Sequence, residues 1–165
     1  MELKTAVKIA NEIITLIKPY CSRIEIAGST RRGKSNVHDL ELVAIPVNIN
    51  TLKNKLGMHL LSMQGKNKSN PFIKAGERYI QFKYKNEQID LFLALEDNWG
   101  LIYLIRTGSA EFSSKMLARW KKVSGGGYSE NGFLHSADGK VVMTKEEIDV
   151  FKLCQLENVA PELRS

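Results

Sequence analysis

The side chains best suited to chemistry are concentrated in residues 28–41, GSTRRGKSNVHDLE. An apolar run (Ile24, Ile26, Ala27) leads into Gly28 and Ser29. Arg31, Arg32 and Gly33 follow, and Asp39 and Glu41 then flank Leu40 at the start of a second apolar run. Residues two apart on a β-strand share a face, so this spacing predicts that Asp39 and Glu41 project together while Leu40 and Leu42 face a core. Adjacent carboxylates repel, and a divalent cation held by oxygen ligands relieves the repulsion. Upstream, the Gly28 and Ser29 amides open a predicted helix, where the first N–H groups and the dipole favour phosphate. A third acid, Asp90, interrupts the apolar strand QIDLFLA. A buried carboxylate requires a partner, either a metal ion or a cation such as Arg78 or Arg32. A lone D-x-E is more often a solvated strand edge or an ion-pair partner; with Gly-Ser ahead of it, the pair points to a phosphate cradle beside a metal pair.

Those residues need a sheet to hold them. Apolar residues at three- and four-residue intervals predict a helix from Ala6 to Leu16 that ends before Pro19. Strands are expected at Arg23 to Ala27 and Leu40 to Ile45, with a short helix from Ser29 to Gly33 between them. A helix from Thr51 to Met63 precedes a polar, flexible loop at Gln64 to Asn70. Phe72 to Leu95 reads as a short strand and a hairpin, with breaks near Gly76 and at Lys85-Asn86-Glu87. Beyond Asp97-Asn98 the pattern becomes helical: Trp99 to Arg106, a Thr107-Gly108-Ser109 break, then Ala110 to Val123. On the second helix Phe112, Met116, Trp120 and Val123 form an apolar stripe. Lys115, Arg119 and Lys122 form a basic one, a solvated face or a contact for DNA phosphates. The remainder reads as a Gly-rich turn, two short strands around Ala137-Asp138-Gly139, and a helix opened by Thr144, closing on PELR. The fold class is α+β, with a mixed sheet flanked by helices at residues 1–97 and a small α/β unit at 98–165.

The length of 165 residues suits one domain or two small ones, and 43% hydrophobic and 25% charged residues argue against disorder. A net charge of +6 favours polyanions without proving that one binds. Cys21 and Cys154 lack zinc-like spacing and read as idle thiols in a reducing compartment. The first twenty residues carry no signal-peptide apolar region, and no stretch is long enough to span a membrane, so an intracellular protein is expected, in the cytoplasm, nucleoid or a virus-infected cell.

The Gly-Ser followed by D-x-E resembles the nucleotidyltransferase signature of the polymerase-beta superfamily, and GSTRRGK resembles family X DNA polymerases in particular. QIDLFLA is similar to the strand bearing that family's third carboxylate. RTGSAEFSSKML and KEEIDVFKLCQLENVAPELR resemble its thumb, so the likeness runs from Ile24 to the C-terminus. It implies a palm at 1–97 and a nucleotide- and DNA-binding thumb at 98–165, with no lyase domain or fingers ahead of the palm, as in minimal viral members. It also implies Asp39, Glu41 and Asp90 as catalytic acids and as ligands of two Mg²⁺ ions (Mn²⁺ as a substitute). Gly28, Ser29, Arg32, His38, Ile105, Arg106, Gly108 and Ser113 would contact the nucleoside triphosphate, and Lys115, Arg119 and Lys122 the DNA. His38 stands where a glycine often meets the triphosphate, and Gln88 replaces an arginine.

Departures from the family concentrate in the thumb. Ile105 and Arg106 replace an aromatic pair before Thr-Gly, Ala110 an acid, and Leu117 a template-contacting arginine. The resemblance therefore implies a monomeric DNA polymerase working on primer-template or gapped duplex, filling short gaps in repair with low processivity, low fidelity and weak sugar discrimination. Two rivals stand beside it: a template-independent or non-DNA nucleotidyltransferase, and a non-catalytic DNA-binding module.

Overall fold

Alternating apolar residues in three strands fix the architecture of the N-terminal part. In the computed structural model, which describes residues 1–65 and 69–165, the elements run α1 (Leu3–Ile17), β1 (Cys21–Ile26), α2 (Gly28–Arg31), β2 (Leu40–Pro46), α3 (Ile49–Met63), β3 (Phe72–Ala75), β4 (Tyr79–Tyr84) and β5 (Glu87–Leu93). The strands form one mixed sheet in the order β1-β2-β5-β4-β3, in which β2 and β5 are parallel and the other pairs antiparallel. Leu40, Leu42 and Ala44 of β2, Ile80 and Phe82 of β4, and Ile89, Leu91 and Leu93 of β5 are buried in one cluster. The same cluster takes the apolar stripe of α1 and Leu52, Leu56 and Leu60 of α3. Both long helices therefore cover one face of the sheet, and the period of two sends the intervening residues to the other.

Local chemistry sets the boundaries. Asn48 caps α3 by accepting from the Thr51 amide at 2.9 Å. Lys85 and Asn86 both take positive φ (51° and 69°), the backbone of a tight two-residue hairpin between β4 and β5. Residues 66–68 of the polar loop expected at Gln64 to Asn70 lie outside the described residues.

The chain divides into two compact units, Met1–Leu93 and Ala94–Ser165. The second contains α4 (Trp99–Thr107), α5 (Ala110–Val123), β6 (Tyr128–Glu130), β7 (Phe133–His135), β8 (Val141–Val142) and α6 (Glu147–Leu153). Its core gathers Leu101, Leu104, Met116, Trp120, Leu134, Val150, Phe151 and Cys154, as the apolar stripe on α5 predicts. Ser109 caps α5 by accepting from the Phe112 amide at 3.1 Å.

Two expectations here are corrected. The small sheet has three strands rather than two: β6 pairs with β7 through a tight turn at Asn131 and Gly132, both with positive φ. The run of three glycines before β6 masked that strand. Thr144 does not open α6; Glu146 does, its amide donating to Asp149 Oδ2 at 2.8 Å. Thr144 is instead buried as a clasp. Its hydroxyl accepts from the Leu101 amide at 3.3 Å, its own amide donates to the Asp97 carbonyl at 2.8 Å, and its carbonyl accepts from Gly100 at 2.7 Å.

Both cysteines are free. Burial pushes the Cys21 thiol up to about 11 and raises that of Cys154, so both stay protonated and unreactive near neutral pH. No helix among the described residues is long and apolar enough to cross a membrane.

Candidate active site

A polar row crosses the sheet on the face opposite α1 and α3. Glu41 of β2 is the register partner of Asp90 on β5, and Asp90 is the partner of Gln81 on β4. On the near side the Ala27 amide, just past β1, donates to the Glu41 carbonyl at 2.9 Å. Strand pairing alone therefore sets the Glu41 and Asp90 side chains beside each other, about 4.8 Å apart at the backbone. Asp39 lies half-buried in the bend before β2, two positions ahead of Glu41. Asp39 and Glu41, which the sequence spacing puts on one face, stand at the mouth of β2, with Leu40 between them fully buried.

Asp90 is only 7% exposed. Its Oδ1 accepts from the Tyr79 hydroxyl at 2.6 Å and from Gln81 Nε2 at 2.8 Å, and its Oδ2 from Gln88 Nε2 at 3.2 Å. A tyrosine and two glutamines thus hold it, where the ion-pair reading expects an arginine. Sheet geometry explains all three, since Gln88 is two residues back on the same strand, Gln81 directly across, and Tyr79 on the diagonal.

Gly28 begins the four-residue helix α2 with φ +61°. A Cβ at this position would strike Glu41 Oε2. The glycine is thus required by its own backbone and by the carboxylate packed against it. The Ser29 and Thr30 hydroxyls are buried with no hydrogen-bond partner. Buried hydroxyls without a protein partner are rare in folded proteins. Arg32 sits half-buried at the C-cap of α2, and His38 is exposed.

Replacing Gly28 with alanine is expected to cost about 1–2 kcal/mol from the left-handed backbone, and to displace the Glu41 carboxylate as well. Thermal melting checks it: an unchanged melting temperature would contradict the packing described.

Carboxylates on paired strands are the hard oxygen donors that Mg²⁺ takes, and the donor types fit. Among the described residues no three His, Cys, Asp or Glu side chains are gathered tightly enough to ligate one ion. Glu41 and Asp90 stand in register on paired strands, with Asp39 two positions ahead of Glu41.

In the second unit the expected contact residues have assorted surroundings. The Ser113 hydroxyl donates to the Ile105 carbonyl at 2.9 Å, tying α5 to α4. Gly108 caps α4, where a side chain would run into the Phe112 ring. Arg106 and Lys122 are exposed. Lys115 pairs with Glu111 at 2.5 Å, so the acid nearest Arg106 in sequence is bonded elsewhere. Arg119 donates from Nε to the Cys154 carbonyl at 2.9 Å, which ties part of the basic stripe to α6. Leu117 packs at the edge of the core.

A mixed sheet with two helices on one face and an acidic row on the other, followed by a helical unit with a small sheet, is a palm followed by a thumb. Residues 102–165 match the family model of the DNA polymerase beta thumb. The C-terminal unit is thus similar to the thumb of DNA polymerase beta. No curated protein matches the chain.

Proposed function

We propose that this protein is a DNA-directed DNA polymerase of the family X type, transferring nucleotides from a nucleoside triphosphate to a DNA 3′-hydroxyl in short gap-filling synthesis. The observation that carries the reading is the register pairing of Glu41 with Asp90, with Asp39 two residues ahead and the Gly28-Ser29 turn packed on Glu41. Asp39 and Glu41 would hold two Mg²⁺ ions, with Asp90 completing the shell of one. Bound there, the ions would acidify the 3′-hydroxyl and neutralise charge on the triphosphate. Asp90, set beside Glu41, orients the 3′-oxygen. The Gly28 and Ser29 amides, the orphan Ser29 hydroxyl and the Arg32 fork receive the β- and γ-phosphates.

In the second unit, Ile105 and Arg106 stand where the resemblance expects an aromatic pair, Ala110 where it expects an acid, and Leu117 packs at the edge of the core. Selection then falls on base pairing, giving low fidelity and weak exclusion of ribonucleotides. Single-nucleotide incorporation on a one-nucleotide gap, with dNTP and rNTP opposite each template base, tests this. Magnesium-dependent, template-directed addition with less than about a hundredfold preference for dNTP is expected, a gap of under about 3 kcal/mol. Strong rejection of rNTP counts against the sugar reading, and no addition of any nucleotide counts against the polymerase reading.

One observation favours a second reading, a DNA-binding module that keeps the palm without catalysis: the Asp90 carboxylate is already satisfied by Tyr79, Gln81 and Gln88. Calorimetric titration with magnesium and a nonhydrolysable triphosphate separates the two, because a pure binding module gives no nucleotide heat.

A further inference from the structure

We propose that the outer edge of the palm sheet, rather than thumb helix α5, is the electrostatic anchor for the nucleic-acid backbone, with Lys74 and Lys83 as its central contacts. The proposal rests on the nucleic-acid reading above and changes where the binding charge lies. Of the 24 Lys and Arg and 18 Asp and Glu, residues 1–93 hold 15 and 8, and residues 94–165 hold 9 and 10. The palm thus carries +7 in spite of its three site acids, and the thumb carries −1.

The thumb's cations are also largely engaged. Lys115 is paired with Glu111, Lys140 with Asp138, Lys145 with Asp97 and the buried Arg164 with Glu147, while Arg119 is bonded to the Cys154 carbonyl. With screening over about 8–10 Å, distant charge cannot substitute for local charge, so the negative thumb is a poor polyanion surface.

Sheet register aims the palm's edge at the site. Lys83 pairs with Gln88, and Lys74 pairs with Gln81, which pairs with Asp90. Gln81 and Gln88 both bond Asp90, so Lys74 and Lys83 share its face of the sheet. Strand spacing puts both backbones roughly 8–10 Å from Asp90, on the side away from Glu41. Two or three phosphates of one strand cover that span at about 3.4 Å of helix axis each. Both lysines are exposed; Lys74 lies over the Tyr79 ring at 5.6 Å, and Tyr79 stacks on Phe92 at 5.0 Å. Lys53, bonded to the Ala75 carbonyl at 3.1 Å, adds a third cation to the same rim. A strand whose end reaches Asp90 thereby crosses Gln81 and passes between two ammonium groups.

The test is fluorescence anisotropy of a labelled gapped duplex with the full chain over about 50–200 mM KCl. Wild type is compared with Lys74→Gln/Lys83→Gln and with Lys115→Gln/Lys122→Gln, each variant checked for an unchanged melting curve. The palm pair is expected to reduce the slope of log K against log salt by about 2 and weaken binding at least about tenfold at ~100 mM, and the thumb pair to change binding less than about threefold. Lys74→Arg/Lys83→Arg should restore the slope. Loss of slope in the thumb pair, or a palm pair indistinguishable from wild type because Lys74 serves only to guard the edge strand, overturns the proposal and leaves the polymerase reading standing. Wild-type protein that binds no DNA overturns both.

Discussion

Under the proposed polymerase function, replacing Glu41 with Gln, or Asp90 with Asn, is expected to slow nucleotide incorporation at least about a thousandfold, a loss near 4 kcal/mol of transition-state stabilisation, while the fold persists. Both changes are isosteric and remove only the negative charge. With Asp90→Asn, the new side-chain carbonyl oxygen would still accept from Tyr79 and Gln81. The new amide nitrogen would face the Gln88 amide, a clash that vanishes when Gln88 turns its own carbonyl inward. Little of the cost therefore falls on stability. Single-turnover rates in magnesium, read beside melting curves, decide the matter. A rate within about tenfold of wild type in either variant removes that carboxylate from the mechanism, whereas loss of rate accompanied by unfolding would show that the acidic row is structural.

The acidic row was legible in the sequence because the β-strand period of two leaves no ambiguity of face. Leu40, Leu42, Ile89 and Leu91 identify the buried face, and the acids among them fall on the other. Even the cradle of Asp90 was within reach. A two-residue turn at Lys85-Asn86 fixes the hairpin register, which puts Gln81 opposite Asp90 and Tyr79 one diagonal step away. Gln88 was visible as the residue two before Asp90, although it stood out only as a departure from a family pattern. The parallel pairing of β2 with β5 was less accessible, since its partners are far apart in sequence and no local signal reports it.

The second unit was harder to read for a physical reason. Its small sheet has strands of two or three residues, too short to show alternation, and is held by turns with positive φ at Asn131, Gly132 and Gly139. Thr144 has the composition of a helix cap, and its neighbours supply acids in the right places. Tertiary demand took it instead, because the buried start of α4 needed partners for the Gly100 and Leu101 amides. The basic stripe on α5 was real as a pattern, but helical spacing cannot say which cations are engaged by neighbouring acids and carbonyls.

The same blindness to long-range pairing hid Arg164, which now carries the largest stability prediction. At 1% exposure it is among the largest fully buried side chains, and it lies one residue from the end of the chain. Nη1 meets Glu147 Oε1 at 2.5 Å, Nη2 meets Oε2 at 3.4 Å, and Nε donates to the Val159 carbonyl at 2.8 Å. The guanidinium lies 5.4 Å from the Phe151 ring centre and 6.0 Å from that of Phe112, and its backbone carbonyl accepts from the Ser109 amide at 2.9 Å. One side chain thereby joins the starts of α5 and α6 to the final turn. Arg164→Met keeps the apolar stem but takes from the mostly buried Glu147 carboxylate its forked guanidinium partner, and removing one member of a buried pair costs about 3–5 kcal/mol. Against a typical total of about 5–15 kcal/mol, and at about 4–8 °C per kcal/mol for a unit of this size, the second unit should lose at least roughly 12 °C of melting temperature. Arg164→Lys should fall between, because an ammonium cannot make the forked bond and reach Val159 together. The double variant Arg164→Met/Glu147→Leu should recover part of the loss, since it removes the stranded charge that makes the single variant costly. Calorimetry on all three separates the cases: a single variant that melts within about 2 °C of wild type, or a double variant that melts lower than the single, would show that the ion pair does not hold this unit together.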